Sequence, residues 1–479
     1  MLNVEKIKTR YILFFLSAIA VIPILLYSDT PLFADDFTWF TFLKDNQNKS
    51  FNELLITETP FGYFRPLTIL IFRAIYFIAS DNAFVYRVFS CLFQILIFLL
   101  LYKIFYELSF SKTISFWTVF MFSVLASHAE VIFLINCLNI LVADFLVLCG
   151  IYFILKREKP LYSLAAIVAF LLSLLCRESS FNYVFLSLLI FLYTGRKNKL
   201  SFTAVLFIPL ISYFIIRYLF VYLNPLLFSG NHFEPSFNIV KSTYKIFHYF
   251  VIAVFPVKSI FYITGFELYD SLRSSFSGKS DQVLFYVLMF FTSVFVLLII
   301  SYTLRILKKK IIFPSLFFLS CLMAYIPAEN VAERFSYLAS AGISLLMVLV
   351  LAEKKSSKLI TSVFILFLIL HLTTLLIRGD SYRVYAKSFS SAINDLHNQL
   401  KDDNQPSVIM IENLPEPYYG QMLVSTKNFN DAYRYFYPEE KIEFILKNNV
   451  SDLEIYKKIN KTYKLDYRSF KFNRLNIYP

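Results

Sequence analysis

Residues 11–28 read YILFFLSAIAVIPILLYS, and residues 33–37 read FADDF. The first stretch carries no charge over the length an α-helix needs to cross a bilayer. The second sets two adjacent carboxylates, Asp35 and Asp36, between aromatic residues where that helix leaves the membrane. The same apolar pattern returns along most of the chain. Hydrophobic residues make up 58%, aromatic residues 19% and charged residues only 16%, with a mean hydropathy of +0.61, against roughly 45–50% apolar residues in soluble domains. No soluble fold could hide that much apolar surface.

Spans are expected at 11–28, 86–108, 113–127, 131–155, 161–176, 180–194, 201–222, 282–304, 311–327, 335–352 and 359–377, about eleven in all. The first resembles a signal peptide because it follows Lys6, Lys8 and Arg10. Its length and the lack of a small-residue cleavage site make it a retained anchor. The net charge of +13 is spread over short clusters between apolar segments rather than gathered on one polar surface, so it reports topology and excludes nucleic acid as a partner. Those clusters (Lys6 to Arg10, Lys112, Lys156 to Lys159, Arg196 to Lys199, Arg305 to Lys310, Lys354 to Lys358) fall on every second connection and therefore face the cytoplasm.

Two further apolar segments, Phe64 to Ser80 and Tyr244 to Thr264, carry internal charges and read as interfacial or re-entrant helices. The five cysteines lie in or beside apolar segments without CxxC spacing, which reads as buried thiols. From Arg378 the composition turns mixed and polar: a helix-like start, a strand-like Ser407 to Glu412 and a Pro-rich turn. The expected architecture is an all-α polytopic membrane domain over 1–377 with a small external α/β domain over 378–479. Facing outward with that tail are 29–85, the turns near 128, 177 and 330, and 223–281.

Ionisable groups beside the bilayer are costly, and here they collect on the outer side. Asp35 and Asp36 can supply a general base and an acceptor-orienting group, each raising the other's pKa, or can simply cap a helix. His128 and Glu130 form a polar island that can share a substrate hydroxyl, or close a helix end. Arg177 with Glu178, and Glu333 with Arg334, are adjacent opposite charges. These read as interfacial ion pairs, or as arginines whose planar donors match a phosphate. Asp144, inside the fourth expected span, reads as a structural acid bonded within the bundle. The ligands are too sparse to define a metal site, so a divalent metal stays open. No P-loop, GxSxG, HExxH or Rossmann glycine pattern occurs, which disfavours a soluble nucleotide-sugar donor.

In this order the segments resemble the GT-C fold glycosyltransferases, particularly the protein O-mannosyltransferase-like group. Asp35-Asp36 stands at that group's acidic motif, and Phe64-Arg65-Pro66-Leu67-Thr68 is similar to its Tyr-Arg-Pro-Leu-Thr stretch. Ser127-His128-Ala129-Glu130 resembles its His-x-Glu turn and Cys176-Arg177-Glu178-Ser179 its Ser-Lys-Glu-Ser turn. Tyr249 to Pro256 is similar to a Tyr-x(6)-Pro pattern, and Ala332 to Leu338 to an Ala-Glu-Arg-Tyr-Leu-Tyr-Leu box. The resemblance covers most of the membrane part. Leu125-Ala126 depart from the family's His-Pro, and Leu138 to Ile140 from its Arg-Lys-acid run, which leaves the acceptor open.

The resemblance implies an inverting transferase of the cell envelope that moves a sugar from a polyprenyl-phosphate donor to a hydroxyl of a protein, lipid or glycan. Asp35 or Asp36 would be the base. Arg65, Arg177, Lys258 and Arg334 would hold the donor phosphate, and His128, Glu130, Glu178 and Glu333 would orient substrate. A polysaccharide polymerase or ligase would rely instead on a large external loop with Arg and His. A lipid-sugar flippase or transporter would string ionisable residues through its helices and show repeats. Few glycines with abundant Phe, Ile, Lys and Asn suggest an AT-rich bacterial genome, hence the inner membrane with the N-terminus cytoplasmic.

Overall fold

The computed structural model describes residues 5–156, 160–195, 199–223, 239–254, 308–326, 332–353, 358–400, 408–412, 426–439, 442–446, 459–466 and 471–475. Fifteen helices precede the first strand among them: α1 (Thr9–Leu26), α2 (Asp35–Asp45), α3 (Phe51–Leu55), α4 (Pro66–Ala79), α5 (Ala83–Glu107), α6 (Lys112–Ser123), α7 (Ala129–Phe133), α8 (Leu138–Leu155), α9 (Pro160–Cys176), α10 (Asn182–Thr194), α11 (Lys199–Leu223), α12 (Ile239–Val254), α13 (Lys308–Leu322), α14 (Ser340–Glu353) and α15 (Lys358–Leu400). Then come β1 (Val408–Glu412), α16 (Thr426–Phe436), β2 (Glu443–Leu446), β3 (Ile459–Asp466) and β4 (Lys471–Leu475). The strands form one sheet in the order β2-β1-β3-β4, with β1 parallel to β2 and β3, and β4 antiparallel to β3.

Local chemistry sets the helix starts. Asn82 accepts the amide of Phe84 to open α5, Ser111 accepts that of Ile114 to open α6, and Pro66 occupies the first turn of α4, where its missing N–H costs nothing. Bundle packing then relies on close approach. A Cβ on Gly342 would lie 2.6 Å from the Pro314 carbonyl oxygen, so only glycine lets α14 cross α13 at that point.

Among the described residues five helices are long and apolar enough to cross a membrane: Thr9–Leu26, Ala83–Glu107, Ile135–Leu155, Phe202–Phe220 and Phe364–Leu400. Large apolar side chains on them and their neighbours point outward, among them Phe14 at 75% exposure and Phe77 at 88%. Water would penalise such a belt, whereas lipid accepts it. The protein is therefore an integral membrane protein.

Several expected spans take another form. The segment 113–127 is α6 bent by 57° against 126–133, a broken span or a re-entrant loop. Over 161–176, 180–194, 311–327 and 335–352 the described helices run for 17, 13, 15 and 14 residues, under the roughly 20 of a typical span. The expected span 282–304 lies outside the described residues. The boundary expected at 377/378 falls inside one uninterrupted helix, α15. There the composition changes because the surroundings change, while the backbone hydrogen bonds continue.

The two ends of the bundle differ in chemistry. At one end Glu5 accepts the amide of Thr113 and Lys156 pairs with Glu107. At the other lie Asp35, Glu130, Arg177, Glu178, Glu333 and Arg334. A separate core at that second end joins the 27–43 segment, residues 129–143, the later turns of α15 and the sheet.

Candidate functional site

Two anchors fix the FADDF segment. From α5, Arg87, only 2% exposed, donates to the carbonyls of Thr30 and Pro31. Asp36, 1% exposed, accepts the amide of Phe33 at 3.2 Å through one oxygen and that of Asn136 at 3.0 Å through the other. Between the anchors Ala34 adopts φ 50° and ψ −118°. An L-residue in that region costs on the order of 1–3 kcal/mol and persists only where the surroundings enforce it. Here Phe33 packs on Phe389, and Phe37 packs on Phe389, Tyr435 and Phe436. The strain sits one residue before Asp35, which opens α2 half-buried and accepts Asn136 Nδ2 at 2.8 Å. The two acids therefore do different work: Asp36 ties the loop down and Asp35 is presented.

Burial pushes the Asp36 carboxyl up to about 7, against the pull of Arg87 and of the two amides. The folded state then holds this proton more tightly than the unfolded chain, where a carboxyl titrates near about 4. The resulting stability is present below about 4 and is lost as pH rises through about 7. The apparent melting temperature of the purified protein should fall over that window, and Asp36→Asn should flatten this part of the slope. An unchanged slope in the variant would show that Asp36 is not the titrating group.

Glu130 and Arg334 face this loop. The Arg334 amide donates to Glu130 Oε2 at 3.3 Å, and Nη1 lies 3.7 Å from the same oxygen. Asp35 belongs to the same electrostatic neighbourhood. Beyond Arg334, the Phe335 ring lies between two guanidinium groups, Arg334 at 5.5 Å and Arg177 at 5.4 Å from its centroid, and stacks on Tyr325 at 4.6 Å.

Arg177 donates Nε–H to Ser179 Oγ at 2.8 Å and Nη1–H to Asn139 Oδ1 at 3.3 Å. Ser179 in turn donates to the Tyr325 hydroxyl. Among the described residues these polar partners are neutral, and Arg177, 8% exposed, makes no ion pair. Burial lowers its pKa, with Arg65 and Arg334 adding to the effect. Arg65 completes the row, 2.8 Å from Glu178 and 4.1 Å above the Tyr63 ring. Three arginines thus converge, and among the described residues two of them, Arg65 and Arg334, have carboxylate partners, an arrangement that favours an anion.

The remaining expected residues lie elsewhere. His128 is buried between Phe122 and Tyr337 and bonds Ser340 Oγ at 2.8 Å, so its ring serves the core beneath Glu130. Glu333 pairs with Arg378 of α15, both side chains 3% exposed, while Arg334 pairs with Glu130. Lys258 lies outside the described residues. No group of three or more His, Cys, Asp or Glu side chains suited to a metal ion occurs among the described residues. Asn136, Asn139 and Arg87 are not among the expected residues, yet each is a lone polar residue interrupting an apolar run, which is the signal that marks them.

The chain matches no protein-family model and no curated protein. Among solved structures it is similar to ArnT from Cupriavidus metallidurans in the apo state, with a TM-score of 0.46 and 10% identity over 93% of this chain and 86% of that one. It is also similar to the apo form of the Archaeoglobus fulgidus oligosaccharyltransferase, with a TM-score of 0.48 and 12% identity over 88% of this chain. Of that second protein the chain spans 63%, less than two thirds. Likeness at this level says nothing about chemistry.

Proposed function

We propose that the protein is a membrane glycosyltransferase of GT-C type that transfers a sugar from a polyprenyl-phosphate donor to a hydroxyl of a protein, lipid or glycan, in the inner membrane of a bacterium. The observation that carries this reading is the convergence of Arg65, Arg177 and Arg334 at the same end of an apolar bundle as the half-buried Asp35. A lipid tail belongs in the bilayer, and its phosphate belongs among arginines at the surface.

In the proposed reaction the acceptor oxygen bonds to the anomeric carbon as Asp35 takes its proton. The bond from that carbon to the phosphate oxygen breaks on the opposite face, and its electron pair leaves on the phosphate. Configuration inverts. A phosphate leaving group needs charge stabilisation more than a proton, so arginines replace a catalytic acid.

Arg334→Ala should raise the donor KM, lower kcat or do both, by about 1.5–3 kcal/mol in kcat/KM, the worth of a charge-assisted contact. Glu130→Gln should shift the same constants by less, because it loosens the arginine without removing it. Steady-state kinetics on a lipid-phosphate sugar give both values. Wild-type constants for Arg334→Ala would remove this residue from the donor site.

A further inference from the structure

Below the arginines, the interior holds polar groups that the proposed chemistry does not use. Asp144 sits six residues into α8 from Leu138, about 9 Å further into the bundle at 1.5 Å per residue. It is 6% exposed, and among the described residues its carboxylate makes neither a hydrogen bond nor an ion pair. Asn182 at the start of α10, 2% exposed, donates Nδ2–H to the Cys321 carbonyl and leaves Oδ1 without a partner. The Tyr337 hydroxyl, 1% exposed, is likewise unpartnered. These lie together: α10 packs on α8 and on α13, the turn just before Tyr337 packs on α13 as well, and Tyr325, past the end of α13, lies 5.9 Å from the Arg177 guanidinium.

Buried polar atoms normally find hydrogen bonds, and leaving several unmet in one place is expensive. A carboxylate and an amide oxygen only accept, whereas a phenol can donate as well. Their missing partners are therefore mainly donors. Arg177, bordering the same region, makes no ion pair among the described residues and can take an anion. A molecule with several hydroxyl or amino donors beside a phosphate satisfies all four, and a glycosyl phosphate has that composition. Resting on the transferase reading, we propose that Asp144, Asn182 and Tyr337 form the pocket that recognises the hydroxyl or amino groups of the donor's sugar while Arg177 holds its phosphate. Asp144 is then a specificity determinant, and sugars lacking the matching donor group are rejected because its carboxylate stays unpaired.

The test is binding by the full-length protein in nanodiscs, comparing polyprenyl phosphate with its glucose, mannose and N-acetylglucosamine derivatives. At least one sugar should bind about tenfold more tightly than polyprenyl phosphate alone. Asp144→Asn should lose that increment and keep the affinity for polyprenyl phosphate. Tyr337→Phe, which removes one oxygen and leaves the ring packed, should lose part of it and serves if Asp144→Asn fails to fold. Variants that retain the full increment, or a wild type that shows none, would mean that internal water satisfies these groups, and the inference falls while the transferase reading stands. A wild type that binds polyprenyl phosphate no better than polyprenol would overturn both.

Discussion

Asp35→Asn is expected to lower kcat by about 100-fold or more, within the range of general-base catalysis, while protein level and donor affinity stay near wild type. The expectation rests on the division of labour between the two acids. Asp35 is half-buried at the first position of α2, beyond the strained Ala34, and an amide there can still accept from Asn136. The substitution therefore removes proton-accepting power and little else. Asp36→Asn differs: it keeps at most one of two amide acceptors in a fully buried place, so yield and melting temperature should suffer along with turnover. Full activity in both variants would discard the proposed mechanism.

The second large effect is on stability. Arg378 and Glu333 form an ion pair with both side chains 3% exposed, and Arg378 also donates to the Ala126 carbonyl at 3.0 Å. Removing one member strands the other's charge away from water, at a cost of about 3–5 kcal/mol. Glu333→Gln and Arg378→Met should each lower the melting temperature far more than Arg334→Ala. A double variant that pairs two neutral side chains should recover part of the loss, because no charge is then stranded. Equal melting temperatures for all of these proteins would show that the pair carries no structural load. Arg378 sits in the middle of α15, the helix that runs on from the bundle to the sheet, and Glu333 on the turn bearing Arg334, so the pair also ties that helix to that turn.

Part of the fold was legible in the residues: the uncharged runs 11–28, 86–108 and 131–155 carry helices long and apolar enough to cross a membrane, whereas 113–127 is bent against the segment that follows it. What could not be read was which partner each charge takes. Glu333 adjoins Arg334 in sequence, yet a turn of 3-10 helix over Glu333–Ser336 sends the two side chains apart, one to Arg378 and the other to Glu130. His128 and Glu130, two positions apart, likewise diverge, one into the core and one toward Arg334. Nor could periodicity show that α15 continues past Arg378, since a change from apolar to polar surface leaves the helical hydrogen bonds intact.

The most direct measurement supplies the purified protein, in nanodiscs and without any nucleotide, with a polyprenyl-phosphate monosaccharide and a cell-envelope extract as acceptor source, and follows free polyprenyl phosphate. The account predicts that polyprenyl phosphate is released by the wild type and that release falls by about 100-fold or more in Asp35→Asn. Release only when a nucleotide sugar is added, or equal release by wild type and Asp35→Asn, would contradict it.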